Sequence, residues 1–167
     1  PNSSAAGSRM MQLIHFFQSQ HYQITFASPA QQTEHMVDLT TLNIAVENIQ
    51  LNCTSFDDFI AKLQPSAVMF DRFMMEEQFG WRVSEQCPKA LRILDTEDLF
   101  SLRNARHQAY KQKRESTEQD LLTSDMAKRE VASIFRSDIS LMISKVEVEL
   151  LQCLFKVDAS LIHYCPF

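Results

Sequence analysis

Glycine is nearly missing from this sequence: its 167 residues contain 2, Gly7 and Gly80, where an average usage near 7% would supply about a dozen. A dinucleotide fingerprint needs three glycines, and a phosphate-binding loop needs two beside Lys-Ser/Thr, so neither can be written with this pair. Paired cysteines are missing too. Cys53, Cys87, Cys153 and Cys165 lie far apart, with no Cys-x-x-Cys and no Cys/His cluster at metal-ligand spacing, and they read as reduced, mostly buried thiols of a cytosolic protein. No apolar run approaches the roughly 18 residues of a membrane span. Residues 1–9 lack the charged-then-apolar order of a secretory signal. Positive charge is not in excess either, and a net charge of -5 argues against general nucleic-acid binding. Gly-x-Ser-x-Gly does not occur, which removes the nucleophile elbow. The five histidines stand apart from one another and from Cys or acidic residues at ligand spacing, so no metal is assigned.

What is present is ordinary globular composition, 45% hydrophobic and 22% charged, and a length that fits a single domain over 1–167. Met10, Leu13, Ile14 and Phe17 recur at helical spacing from Ser8 to Gln20, with Ser8 placed as N-cap. Residues 23–27 read as a short strand, the stretch with Met36, Val37, Leu39 and Leu42 as a short helix, and 44–51 as a second strand. Ser55 opens a helix whose stripe is Phe56, Phe59, Ile60 and Leu63, stopped by Pro65. Ala67-Val-Met-Phe70 is continuously apolar, the pattern of a strand covered on both faces of a parallel sheet. A helix over 74–86, a strand over 91–94, helical stretches over 99–115 and 120–136, a strand over 139–143, a helix opened by the capping box Ser144-Lys-Val-Glu147, and a last strand over 161–164 complete the order. Strand and helix alternating in this way predict an α/β fold: a doubly wound, Rossmann-like parallel sheet with helices on both faces. Such a fold normally starts with a strand. None precedes the first helix here, so the expectation is that the first strand of a longer protein is missing ahead of Pro1.

In an open parallel sheet, ligands bind at the carboxyl ends of the strands. Gly7-Ser8-Arg9 opens the first helix, where N–H groups and the helix dipole favour an anion; a plain N-cap and a surface arginine would look the same. Asp71-Arg72 follows the most apolar strand and can hold a polar ligand or pair internally. Asp95, Glu97 and Asp98 bring three carboxylates to the next strand end, where one can orient a sugar hydroxyl or act as a base if burial raises its pKa; Asp98 is the expected N-cap of the next helix. Arg103, Arg106, His107, Lys111, Lys113 and Arg114 form a basic run suited to anionic headgroups or to solvation.

Several segments, in order, carry a resemblance. Pro1-Asn-Ser-Ser-Ala-Ala-Gly-Ser-Arg-Met-Met-Gln-Leu-Ile14, Phe70-Asp-Arg-Phe-Met-Met-Glu-Glu77, Leu94-Asp-Thr-Glu-Asp-Leu99 and the stretch from Arg129-Glu through Arg136-Ser-Asp-Ile-Ser-Leu-Met-Ile-Ser144 to Glu147 resemble the N-terminal half of retaining GT-B glycosyltransferases. The resemblance implies an acceptor-side domain that works with a nucleotide-sugar donor, a glycan or other hydroxyl acceptor and its own C-terminal donor domain after Phe167. It implies no bound cofactor, no nucleic acid, and a cytoplasmic protein with peripheral membrane contact open to it. Carried over by position, Ala6-Gly7-Ser8 corresponds to the family's Gly-rich loop, and Glu97-Asp98 to a strand-end His-Asp, with Glu97 departing from the pattern. The acceptor or phosphate site is thus expected from Gly7, Ser8, Arg9, Asp71, Arg72, Asp95, Glu97 and Asp98, with no catalytic residue in this half. The alternatives are a receiver-like signalling domain with Asp71 as phospho-acceptor, and a partner-binding module with no ligand of its own.

Overall fold

The computed structural model describes residues 5–30 and 37–166. The chain separates into two compact units, Pro1–Phe56 and Asp57–Phe167, each with its own parallel sheet.

The first unit contains α1 (Ala5–Ser19), β1 (Thr25–Ser28), a 3-10 turn (Leu39–Leu42) and β2 (Ala45–Asn48). The expected stripe of α1 does face the core: Ile14 is buried with Leu39 and Ile44, and Met10, Met11, Ile24 and Phe26 pack around them. β1 and β2 pair in parallel from Thr25↔Ala45 to Ser28↔Asn48. The start of α1 departs from expectation. The helix already runs from Ala5, because Ala5 and Ala6 are strong helix formers. Ser8 therefore sits inside the first turns and is exposed, rather than capping them, and Ala6-Gly7-Ser8 is helix rather than a loop. The expected helix across Met36 to Leu42 reduces, over the described part, to the 3-10 turn, capped by Asp38, whose carboxylate accepts from Thr40 N–H at 3.0 Å. Met36 lies outside the described residues.

The second unit is built on four parallel strands in the order β3-β4-β5-β6: Ala67–Asp71, Leu91–Glu97, Ile139–Met142 and Ile162–Tyr164. α2 (Ser55–Leu63) and α3 (Arg72–Gln86) flank β3 in sequence, α4 (Phe100–Lys111), α5 (Glu118–Leu122) and α6 (Asp125–Arg136) follow β4, and α7 (Lys145–Leu154) joins β5 to β6. The chain is thus α/β and Rossmann-like, with parallel sheets flanked by helices. Leu94, Ile134, Met142 and Leu151 are fully buried, and the register Phe70↔Leu94 sets the middle of the sheet.

Three differences from expectation have local causes. The expected helix over 120–136 is two helices, since Ser124 breaks it by capping α6 through Ala127 N–H at 3.3 Å. α4 stops at Lys111, and Lys113 turns into the left-handed region at φ 56, so the run to 115 is not helical. β4 continues to Glu97, so Asp95 and Glu97 belong to the strand rather than following it. Truncating Leu94 to Ala removes a fully buried side chain from the central strand, and we expect a loss of about 2–5 kcal/mol; a urea unfolding midpoint close to that of the parent chain would contradict this placement of the core.

Candidate functional site

The site lies at the carboxyl ends of β3 and β4, where Asp71 and Asp95 are register partners. The chain turns into left-handed backbone at each strand end: at Arg72, φ 67, the first residue after β3, and at Glu97, φ 58, the last residue of β4. Such conformations cost a non-glycine residue about 1–3 kcal/mol and collect at ligand sites. Here they turn the chain sharply from strand to helix and leave Asp71, Arg72, Glu97 and Asp98 clustered at the ends of the strands.

Asp71 and Arg72 pair with each other. The Arg72 guanidinium donates from Nε and Nη2 to the two Asp71 oxygens, both at 3.0 Å, and both side chains remain well exposed. Because its carboxylate is used in this way, Asp71 supplies no side-chain cap to α3. The bond to Asp71 raises the Arg72 pKa most, and Glu97 and Asp98 add to the rise. Glu97 is pushed up, first by burial and then by the negative charge of Asp71, with Asp95 and Asp98 acting the same way and Arg72 opposing. Asp95 is fully buried. Beside it Thr96 Oγ1 donates to Leu141 O at 2.6 Å, fastening β4 to β5. Three carboxylates, those of Asp71, Glu97 and Asp98, thus act on one guanidinium, and Asp98 also pairs with Arg103 at 3.2 Å.

Asp98 is not the N-cap of α4. That position falls to Leu99, which has no side-chain oxygen, and the cap comes from other helices. Glu130 of α6 accepts from Phe100 N–H at 2.9 Å, Ser101 N–H at 3.0 Å and Ser101 Oγ at 2.5 Å. Glu147 of α7 accepts from the Leu99 N–H, while burial raises its pKa and its Oε2 is buried with no hydrogen-bond partner. Burial raises the Glu130 pKa as well, against its three hydrogen bonds. The Ser144-to-Glu147 box is therefore only half formed: Ser144 Oγ accepts from Glu147 N–H at 3.3 Å, and the glutamate reaches to α4 instead. Nothing in the sequence announces Glu130, and the Ser-x-x-Glu spacing explains Glu147 too easily.

Gly7, Ser8 and Arg9 lie in α1, in the other unit; Gly7 and Arg9 are buried, Arg9 to 1% exposure. The basic run divides. Arg114 is held by Asp120 through two bonds at 2.7 Å and Arg103 by Asp98, while Arg106, His107, Lys111 and Lys113 are exposed. Among the described residues no group of three or more His, Cys, Asp and Glu is placed to hold a metal ion, and no helix is long and apolar enough to cross a membrane.

Against protein-family models, curated proteins and solved structures, the chain finds no match.

Two outcomes follow. A carboxyl whose folded pKa is raised keeps its proton in the native state at a pH where the unfolded chain has lost it, so its contribution to stability falls as pH climbs from about 4.3 upward. Glu147→Gln should remove its share of that slope: the variant gains on the parent chain as pH rises above about 4.3, read as the difference in unfolding free energy, and a difference constant with pH would refute it. Glu97→Gly relieves the left-handed backbone and should raise stability by about 1 kcal/mol; a drop in melting temperature would show that the backbone there is not strained.

Proposed function

We propose that this chain is the acceptor-side domain of a glycosyltransferase of the retaining GT-B kind, binding a hydroxyl-rich acceptor at the carboxyl ends of β3 and β4. The observation that carries the reading is the strand-end cluster itself, in which Asp71, Glu97 and Asp98 stand around Arg72 on two strained backbone positions. Carboxylates accept hydrogen bonds from neighbouring sugar hydroxyls, and a guanidinium donates to ring or hydroxyl oxygens. The excess of negative charge repels a diphosphate, so the nucleotide-sugar donor belongs to a C-terminal domain of the same protein.

In this reading the domain contributes orientation. Front-face displacement at the anomeric carbon needs the acceptor hydroxyl beside the leaving phosphate, and fixing that hydroxyl supplies the main advantage this half can give. Glu97 takes one acceptor hydroxyl, Asp71 and Arg72 a second, and Asp98 completes the contact. The protein is cytoplasmic, takes no nucleic acid and needs no bound cofactor of its own; the exposed basic residues of α4 give it a surface for peripheral membrane contact.

The test is an amide-shift titration of residues 1–167 with neutral sugars and with sugar nucleotides. Neutral sugars should move the amides of Asp71, Arg72, Glu97 and Asp98, Glu97→Gln should weaken binding by about tenfold, and affinity should fall on acidification as Glu97 takes up its proton above the ordinary carboxyl range. No sugar nucleotide should be consumed. Turnover by this chain alone sinks the two-domain assignment, and stable phosphorylation of Asp71 by acetyl phosphate and Mg²⁺ replaces it with a receiver.

A further inference from the structure

The first unit holds a cavity of its own, open to solvent and about 680 Å³ in volume, a size in the range of small-molecule sites. It is lined from the end of α1, the 3-10 turn and the amino ends of β1 and β2.

The main chain around it is fixed. α1 is followed by a left-handed residue, His21 at φ 64, and Tyr22 N–H closes the turn on Phe17 O at 3.0 Å, a helix stop usually written with glycine. The 3-10 turn ends in the same way, with Asn43 at φ 59 and Ile44 N–H donating to Leu39 O at 3.2 Å. Gln18 Nε2 donates across to Leu42 O at 2.7 Å and ties the two ends together. The Tyr22 ring stands edge-on to Phe17, with centroids 5.7 Å apart and planes at 89°. Although held in this way, Tyr22 remains 53% exposed.

The chemistry of the lining is uncharged and polar. No Asp, Glu, Lys or Arg contributes to it. His21, Gln23 and Asn43 are exposed, and among the described residues their side chains have no hydrogen-bond partner. Two carboxamides, a phenol and an imidazole supply donors and acceptors in alternation. An ionic ligand would leave water here and meet no counter-charge. A planar base is held between two apolar or aromatic walls, and Tyr22 is the one aromatic side chain lining this cavity among the described residues. A sugar ring needs less enclosure: one C–H face lies on an aromatic ring, and the hydroxyls at its rim both donate and accept. We propose that this cavity is a binding site for a neutral sugar residue, stacked on Tyr22 and hydrogen-bonded by Gln23 and Asn43. It belongs to the first unit alone, shares no residue with the strand-end cluster and does not rest on the acceptor reading.

An amide-shift titration of residues 1–167 tests it, with methyl glucoside, methyl galactoside and methyl mannoside as probes and adenosine and glucose 1-phosphate as contrasts. At least one glycoside should move the amides of Tyr22, Gln23, Asn43 and Ile44 along a single saturating curve, with a dissociation constant of about 1 mM, ordinary for so small a ligand. Tyr22→Leu and Asn43→Gly should each weaken binding by about fivefold to tenfold; glycine accepts the left-handed backbone, so Asn43→Gly removes the amide and keeps the turn. Gln23→Ala, at an exposed position, should have a similar effect and replaces Tyr22→Leu if that variant loses the fold. No saturable shift at these amides with any of the three glycosides overturns the proposal, and so does binding that the variants leave unchanged. Adenosine moving these amides where no glycoside does would make this a nucleoside site, and glucose 1-phosphate binding more tightly than methyl glucoside would show that charge is accepted; each overturns the assignment. Shifts at Asp71, Arg72, Glu97 and Asp98 are read separately in the same spectra, so the acceptor reading stands or falls by itself.

Discussion

The candidate site depends on how the start of α4 is held. Every helix start exposes main-chain N–H groups that need acceptors, and the residue at this N-cap is a leucine. Glu130 and Glu147 reach in from two other helices, and between them satisfy Leu99, Phe100 and Ser101. Burying two carboxylates is costly, as their raised pKa values show. The positive end of the helix dipole and the hydrogen bonds offset that cost in part. What the arrangement secures is position: α4, α6 and α7 meet at one point, immediately after the left-handed Glu97 and the exposed end of β4.

The same helix that supplies Glu130 is fixed on its other side. Arg136 of α6 donates from Nε at 2.9 Å and Nη2 at 2.5 Å to Glu76 of α3, whose side chain is 3% exposed. Arg129, next to Glu130, forms a two-bond pair with Glu77 and lies over the Phe73 ring. The Arg129 pair is largely exposed and worth little by itself. The Arg136 pair covers a buried carboxylate, so losing the arginine would strand that charge. Gly80 lies against the Glu76 carboxylate with no room for a Cβ, which gives this glycine a packing reason in a chain with almost no others. α3 and α6 are thereby locked face to face, and the strand ends that feed α3 and α4 share one rigid support.

Much of the fold was legible because the apolar pattern is strong where burial is strong. The Ile14 stripe, the β3 run and the Ser144 cap of α7 all follow from spacing alone. The departures arise where a neighbouring residue moves the start of an element or where a residue has a second possible partner. Ser8 reads as a cap until Ala5 and Ala6 extend the helix past it, and Asp98 reads as a cap until Arg103 engages it; Asp71 and Arg72, open in the sequence to a ligand or to each other, pair with each other. Glu147 reads as half of a local box until α4 presents a better donor. The strand-end carboxylates could be listed from the sequence, but the turning of Arg72 and Glu97 into left-handed backbone could not, since neither residue type favours it. Glu130, one acidic residue in a helix of alternating charge, gives no local sign of being buried.

Charge balance then constrains what the strand ends can hold. A phosphate site in an α/β fold presents uncommitted N–H groups, usually through glycines that let the ligand approach the backbone. Here the N–H groups at the start of α4 are already taken by glutamates, the only glycine of the second unit is buried in α3, and the guanidinium of Arg72 is shared with Asp71. A dianion brought to this place would meet Asp71, Glu97 and Asp98 before it met any unclaimed donor. A neutral polyol meets acceptors for its hydroxyls and one cation that can pivot away from Asp71 at small cost, because that pair is exposed. The cluster is therefore matched to hydroxyl groups and mismatched to phosphate, and any chemistry on a phosphorylated donor needs a cation supply from elsewhere in the protein.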